Sequence, residues 1–168
     1  MFRIINSILM IFFIFFIGYL FGIKEVRFYE VISASMEPTL NVNDKLMTVK
    51  KSKLPRKTIV MIKDPEISDE ILVKRIVGLP GEIINIKDGK VFINGTVLNE
   101  PYIKEAPEYS KEWEIPSNKY FLMGDNRNKS EDSSVWGPID EELIISRVVL
   151  KYWPFKEFKI MSHLSIDF

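Results

Sequence analysis

An uncharged stretch near the start of the chain constrains this sequence more than any other feature. Residues 4–23, between Arg3 and Lys24, carry no charge, and most of these 20 residues are Ile, Leu, Phe or Met. A helix of this length spans roughly 30 Å, the hydrocarbon thickness of a bilayer. The alternative is a cleavable secretory signal, whose apolar core usually has about 7–15 residues. The longer run favours a single transmembrane anchor over residues 1–23.

Composition excludes several classes of active site and partner. Acidic and basic side chains balance at 23 each, so no net charge favours binding to nucleic acid. The chain has no cysteine, which excludes a thiol nucleophile, a disulfide framework and a thiolate metal site. The single histidine, His163, lies close to the C-terminus and argues against a Ser-His-Asp triad. We expect no metal and no cofactor.

The remaining residues, 24–168, predict a mainly β catalytic domain. Two dipeptides, Asp88-Gly89 and Asn94-Gly95, are strong signals for two-residue hairpin turns, because both positions of such a turn need positive φ. Short runs rich in β-branched residues flank these turns and recur along the chain. The predicted strands are Asp44–Lys50, Thr58–Lys63, Ile71–Val77, Ile83–Lys87, Lys90–Ile93, Thr96–Leu98, Tyr120–Met123 and Ile144–Trp153.

Three segments of this domain predict other structure. The polar, proline-containing residues Asn99–Lys119 predict a long excursion, and Gly124–Gly137 predicts a polar loop. Pro138–Leu143 predicts one helical turn, since proline suits the first helical position.

The first candidate motif contains two serines, Ser33 and Ser35, within the segment Ser33–Leu40. A serine hydroxyl is a poor nucleophile until a base accepts its proton, and small neighbours such as Ala34 allow a substrate backbone to approach. The alternative interpretation is an ordinary turn rich in serine and proline.

The second motif places two cations, Lys74 and Arg75, inside an apolar strand. Strand alternation directs them to opposite faces, so at least one lies near a packed surface. Burial without a countercharge disfavours the protonated form of a lysine and yields a base near neutral pH. The alternative is an edge-strand lysine that discourages aggregation.

The third motif, residues 124–133, is dense in hydrogen-bonding groups. It is either a solvated loop with local Asx turns or a scaffold that orients the base.

Together the three motifs read S-x-S-M-x-P-T-L, K-R-x-x-G-x-P-G and G-D-N-R-x-x-S-x-D-S. In this order after an N-terminal span, the sequence resembles bacterial type I signal peptidases over nearly its whole length. The resemblance implies a membrane-bound serine endopeptidase that removes signal peptides from exported preproteins. It also implies a single-pass protein of the bacterial cell membrane, with a cytoplasmic N-terminus and the catalytic domain outside.

The resemblance also implies roles for individual residues. Ser35 would be the nucleophile and Lys74 the general base, while Ser130 would orient Lys74. The Ser33 side chain would be one donor of the oxyanion hole, and the Ser35 backbone N–H would be the other. The remaining matched positions would form structural ion pairs; they are Arg75, Asp125 and Asp132.

Substrates of this family carry small side chains at the first and third positions before the cut. Apolar residues flanking the first two motifs are candidates for the matching pockets, and a plain core role is the alternative for each. These residues are Val31, Ile32, Met36, Leu40 and Val73.

The sequence departs from the family pattern at three places. Ala34 replaces glycine between the serines, and Asn43 precedes Asp44 where glycine is usual, although Asn tolerates positive φ. Ser134 replaces an arginine after the third motif. Asp132 is therefore expected to rely on Arg75 or Arg127.

Two other classes of protein share parts of this pattern. A self-cleaving Ser/Lys repressor would have a DNA-binding domain in place of the membrane span. A catalytically inactive, membrane-anchored binding protein would not need every expected catalytic side chain. We also expect exposed apolar residues near Tyr29–Ile32 and Trp153–Phe158 to rest against the lipid bilayer.

Overall fold

The computed structural model describes residues 26–52, 54–67 and 69–161, together with the helical residues 10, 12, 13 and 18. Most of the predicted anchor, and also His163, lie outside the described residues. Within the part of the chain that is described, no helix is both long enough and apolar enough to cross a membrane. The anchor therefore stays a prediction.

Strands dominate the described residues, which confirms the mainly β prediction. In chain order the strands are β1 (Val26–Glu30), β2 (Lys45–Lys50), β3 (Ile59–Lys63), β4 (Ile71–Gly78), β5 (Ile83–Lys87), β6 (Lys90–Ile93), β7 (Thr96–Val97), β8 (Lys111–Glu114), β9 (Lys119–Met123), β10 (Ile139–Asp140), β11 (Ile144–Trp153) and β12 (Lys159–Ile160). The short helices are the α-helix α1 (Ser133–Trp136) and the 3-10 helices Ala34–Met36, Glu141–Leu143 and Phe155–Glu157.

These strands form two antiparallel sheets. The larger follows the order β1-β2-β11-β3-β4-β9-β10, with β12 paired to β11. The smaller follows the order β7-β6-β5-β8. The hairpins within the smaller sheet turn at Asp88-Gly89 and Asn94-Gly95, and all four of these residues have positive φ, as the sequence predicts.

Four strands, β1, β8, β10 and β12, were not predicted, and neither were α1 and the 3-10 helices Ala34–Met36 and Phe155–Glu157. β1 and β12 lie at the margins of the larger sheet, and β8 lies inside the predicted excursion Asn99–Lys119. Their side chains are mostly exposed, so pairing with neighbouring strands, and not a hydrophobic pattern, creates them.

The prediction of one helical turn over Pro138–Leu143 is wrong in part. β10 occupies its first half, pairing Ile139 with Tyr120, and only Glu141–Leu143 is helical.

β4 is the element that organises the fold. It pairs with β3 on one side and β9 on the other, and its residues 73–78 are all buried. A strand buried on both faces places consecutive side chains in two different interiors. Lys74 and Arg75 therefore enter the domain on opposite sides of the sheet.

Candidate active site

A short 3-10 helix, Ala34–Met36, carries Ser35 between β1 and β2. Backbone hydrogen bonds close its base: Val31 donates to Asp44 (2.9 Å) and Asn43 donates to Val31 (2.8 Å). Asn43 has a φ of 71°, so the turn tolerates this departure from the family pattern as predicted. Fully buried side chains below the helix, those of Met36 and Leu40, fix it to the core.

Lys74 lies on β4 and contacts the nucleophile turn, the segment Ser33–Leu40 that carries Ser35. Its side chain is 3% exposed, and its Nζ lies 3.1 Å from Ser35 Oγ and 3.1 Å from Ser130 Oγ. Ser33 Oγ lies 3.2 Å from Ser35 Oγ. The structure therefore brings together all four residues that the sequence assigns to catalysis, although they span three separate segments of the chain.

The environment of Lys74 favours the neutral amine. Burial lowers the pKa of Lys74 from its ordinary value of 10.5, because desolvation disfavours the charged form. The carboxylates of Asp132, Glu131 and Asp64 act against this effect without outweighing it. Both hydrogen-bond partners of the amine are neutral hydroxyls. An unprotonated lysine can accept a proton from Ser35.

Arg75 projects to the other side of β4 and has a carboxylate partner. Its Nε and Nη2 donate to Asp125 at 2.7 and 2.6 Å, and its Nη1 donates to the Lys57 carbonyl at 2.8 Å. The guanidinium also lies 4.0 Å from the centre of the Tyr102 ring. This bidentate, buried pair joins β4 to the third motif, as the predicted structural role requires.

Asp132 does not form the predicted ion pair. In the described ranges, no cationic group lies within ion-pair distance of its carboxylate, and neither Arg75 nor Arg127 pairs with it. Backbone amides satisfy it instead: Gly124 donates to Oδ2 (2.8 Å) and Ser134 donates to Oδ1 (3.0 Å), which caps α1. Because these amide donors offset the free energy of burying the carboxylate, Asp132 needs no arginine at position 134.

The third motif is packed rather than solvated. Asp125, Asn126 and Arg127 are almost completely buried. Arg127 forms a bidentate ion pair with Glu100, at 2.8 and 2.6 Å, which ties the motif to the excursion after β7. The scaffold interpretation of this segment is therefore favoured over the loop interpretation.

Two residues of this motif contact the nucleophile turn and were not singled out in the sequence. A Cβ added at Gly124 would overlap Ser130 Oγ and the Ser35 carbonyl oxygen, so only glycine fits there. Asn126 donates to two carbonyls of the turn. Position within the motif was the only available signal, because a polar sequence does not reveal burial.

A cavity of about 120 Å³ lies beside Ser33, between the turn and the start of β4. Val31, Ile32 and Val73 line it together with Leu46 and Met61, and Glu30 and Glu70 also belong to its lining. Met36 and Leu40 are absent from its lining and belong to the core below, so the core alternative is the correct one for these two. The cavity is much smaller than the roughly 300–1,000 Å³ of pockets for drug-sized ligands, and it suits a side chain.

The family model for signal peptidase, peptidase S26, matches residues 1–153. Signal peptidase I of Leptolyngbya laminosa is 37% identical over 146 residues, which cover 79% of this chain and 70% of the relative. The chloroplastic thylakoidal processing peptidase 1 of Arabidopsis thaliana is 39% identical over 137 residues, 73% of this chain and 40% of that longer protein.

A solved structure shares the fold. The crystal structure of a signal peptidase I from Enterococcus faecalis superposes with a TM-score of 0.53 and 26% identity. The match covers 57% of this chain and 97% of the chain in that structure.

Proposed function

The chain belongs to the signal peptidase family, peptidase S26, and we propose that it cleaves signal peptides from exported preproteins with a Ser35/Lys74 dyad. One observation carries the proposal: a buried lysine amine lies 3.1 Å from the hydroxyl of Ser35, two residues from a cavity beside Ser33 that has room for one side chain. The pKa of the amine is lowered, and its hydrogen-bond partners among the described residues are hydroxyls, two features that suit a general base.

Acylation begins when Ser35 Oγ attacks the scissile carbonyl. Neutral Lys74 takes the hydroxyl proton as the Oγ–C bond forms, and negative charge moves to the carbonyl oxygen. In this proposal the Ser35 backbone N–H and the Ser33 hydroxyl donate to that oxygen. Such donors typically contribute about 2.7–4 kcal/mol each to transition-state stabilisation.

Lys74 then returns the proton. The ammonium donates it to the departing amine as the peptide C–N bond breaks, which leaves an acyl group on Ser35. In the second half-reaction, Lys74 accepts a proton from a water molecule that attacks the ester and gives it back to Ser35 Oγ. Ser130 accepts or donates at the amine throughout and holds it within reach of Ser35.

The cavity beside Ser33 supports recognition of a small side chain. Residues 31–33 and the start of β4 both line the cavity, and we infer that an extended peptide bound at Ser35 passes beside it. The apolar side chains of Val31, Ile32 and Val73 favour a small apolar group, and Glu30 and Glu70, which also line the cavity, disfavour an acidic one. These features support a preference for small residues before the cut.

A row of exposed and half-buried apolar side chains supports attachment to a bilayer. Phe28 pairs with Met47, Met47 with Leu150 and Leu150 with Ile160, so the four lie on one face of four strands. Phe28 and Ile160 are 63% and 64% exposed. Together with the predicted anchor at residues 1–23, this face supports a domain that rests on the membrane surface. The outer side for this domain and the cytoplasm for the N-terminus are proposed from the family resemblance.

Of the alternatives from the sequence, an inactive binding protein is disfavoured by the hydrogen bonds among Ser35, Lys74 and Ser130. A protein freed from selection for catalysis has no reason to keep a lysine buried without a carboxylate. The self-cleaving repressor is disfavoured because the signal peptidase family model matches residues 1–153.

The test is cleavage of a preprotein by the full chain in detergent. The substrate carries small residues at the first and third positions before the expected cut, and a control preprotein carries leucine at both. We expect a single new N-terminus after the small-x-small site, no cut in the control, and no cut by Ser35→Ala. Cleavage elsewhere, or equal cleavage by Ser35→Ala, would contradict the proposal.

A further inference from the structure

Asn126 lies in the third motif, is 1% exposed, and contacts the nucleophile turn through two donors. Its backbone N–H donates to the Ser35 carbonyl at 3.0 Å, and its side-chain Nδ2 donates to the Ala34 carbonyl at 3.0 Å. The carbonyl of Asn126 accepts from the Lys129 amide at 3.0 Å, so the residue is itself held in a turn. One fixed residue therefore holds the two consecutive carbonyls on either side of the nucleophile.

The Nδ2 contact controls the direction of a neighbouring amide. The Ala34–Ser35 peptide is trans, so its C=O and its N–H point in opposite directions within one plane. Pinning the Ala34 oxygen toward the third motif turns the Ser35 N–H away from it. Among the described residues, no protein group accepts a hydrogen bond from that N–H, so it is free to donate to a substrate.

The side-chain oxygen of Asn126 makes no hydrogen bond among the described residues, so the Nδ2 donor is the polar side-chain atom that acts on the nucleophile turn. Oδ1 is buried and has no hydrogen-bond partner in the described part of the chain. Exchanging the two ends of the amide would place Oδ1 against the Ala34 oxygen, and two acceptors repel each other. A buried acceptor without a partner destabilises the folded state, so stability alone does not account for this asparagine.

We propose that Asn126 is a positioning residue that aims the Ser35 N–H at the oxyanion of the transition state. This inference rests on the proposed function, because it concerns the oxyanion hole of that reaction. Without the Nδ2 donor, the Ala34 carbonyl keeps its other hydrogen bond, from the Glu37 amide at 3.2 Å. The turn therefore persists, but the peptide plane loses the contact that fixes its rotation.

The variant Asn126→Leu tests this role. Leucine has a similar shape, removes both the Nδ2 donor and the unpartnered Oδ1, and leaves the backbone N–H to Ser35 in place. We expect kcat for the small-x-small preprotein to fall about tenfold to a hundredfold, somewhat less than for complete loss of an oxyanion donor. KM should stay within about twofold, and the melting temperature should be unchanged or higher.

Asn128→Leu is the matched control. Asn128 lies in the same motif and also bonds a backbone: its Nδ2 donates to Ala106 (3.0 Å) and its Oδ1 accepts from Glu108 (3.0 Å). Neither contact reaches the nucleophile turn. Its replacement should lower the melting temperature and leave kcat unchanged, the opposite of the result for Asn126→Leu.

Crystal structures of the wild type and of Asn126→Leu give a readout independent of turnover. We expect the Ala34–Ser35 peptide plane to rotate or to show raised displacement in the variant. A plane unchanged from the wild type, or a wild-type kcat in the variant, would overturn the inference. A wild type that cleaves no preprotein would instead overturn the proposed function, so the two failures are distinguishable.

Discussion

Two lysines of this protein are equally buried and have opposite chemistry. Lys74 is 3% exposed and Lys151, on β11, is 4% exposed. Among the described residues, the hydrogen-bond partners of Lys74 are the hydroxyls of Ser35 and Ser130, whereas Lys151 donates to Asp44 (3.0 Å) and Glu157 (2.8 Å). Burial lowers the pKa of Lys74. Burial also acts to lower the pKa of Lys151, but the hydrogen bonds to Glu157 and Asp44 outweigh it and the pKa is raised.

This contrast teaches that burial alone does not make a lysine a base. The free energy of burying an ammonium has to be offset by a carboxylate or avoided by losing the proton. For Lys151, the carboxylates of Asp44 and Glu157 offset this free energy. The lysine is therefore a structural cation that joins β11 to the turn before β2. Burial lowers the pKa of Lys74, whose amine lies 3.1 Å from the Ser35 hydroxyl, and this shift favours the neutral form. Replacing each lysine by the apolar side chain of similar length should therefore give opposite results.

The largest expected effect is on turnover by Lys74→Met. Without the base, kcat should fall roughly 10⁴–10⁶-fold, and Ser35→Ala combined with it should cost little more, because residues of one catalytic unit are non-additive. The melting temperature should stay the same or rise, since methionine removes a buried amine. Preprotein cleavage and thermal unfolding measure the two effects. Substantial turnover by Lys74→Met would refute the assignment of the base.

The second effect is on stability, in Lys151→Met. This change leaves the Asp44 carboxylate buried without its cation, and breaking such a pair typically costs about 3–5 kcal/mol in the free energy of unfolding. Under conditions where the variant is folded, its kcat should match the wild type. Urea unfolding measures the loss. A double variant, Lys151→Met with Asp44→Leu, should recover part of it, and a kcat loss in folded Lys151→Met would contradict the comparison.

The sequence predicts this contrast only in part. Alternation along β4 separates Lys74 from Arg75, and the motifs identify the candidate residues, because both depend on local patterns. Most partners of the two cations come from distant segments: Ser130 is 56 residues from Lys74, and Asp44 is 107 residues from Lys151. Glu157 lies only 6 residues from Lys151, but Glu70 is as near to Lys74 in the sequence, so proximity along the chain does not indicate which lysine meets a carboxylate.

Most differences between the sequence-based predictions and the structure arise where polar segments are buried. Residues 124–127 read as a polar loop but are packed under the nucleophile, so the contacts of Asn126 were missed. Asp132 was expected to need an arginine because the sequence does not show that the amides of Gly124 and Ser134 bind it. β1 and β8 were missed for the converse reason, since exposed strands carry no clear hydrophobic alternation.

The third effect separates positioning of Lys74 from its charge. Ser130→Ala removes the hydroxyl that holds the amine, and kcat should fall about tenfold to a hundredfold with little change in KM. Ser130→Asp instead gives Lys74 a carboxylate, as Lys151 has. In this variant, the acidic limb of the pH–rate profile should shift to higher pH, because the new carboxylate stabilises the Lys74 ammonium and raises its pKa. Initial rates across pH measure both, and an unshifted limb in Ser130→Asp would contradict the electrostatic explanation.

The smallest effect is the pH dependence of stability. Folded Lys74 has a pKa below its unfolded value of 10.5, so between these two values the unfolded chain binds more protons than the folded one. The free energy of unfolding therefore rises with pH across that window. Lys74→Met should remove this rise. Urea unfolding of both proteins from neutral pH to about pH 10 measures the difference between their slopes.

Lys151 provides the control for this slope, because its folded pKa is raised. Its stabilising contribution is fully present below 10.5 and is lost only as pH rises through the folded pKa, above that window. Lys151→Met should therefore lower stability by a nearly constant amount between neutral pH and pH 10, without changing the slope. A slope that survives in Lys74→Met but disappears in Lys151→Met would reverse the assignment of the neutral and the charged lysine.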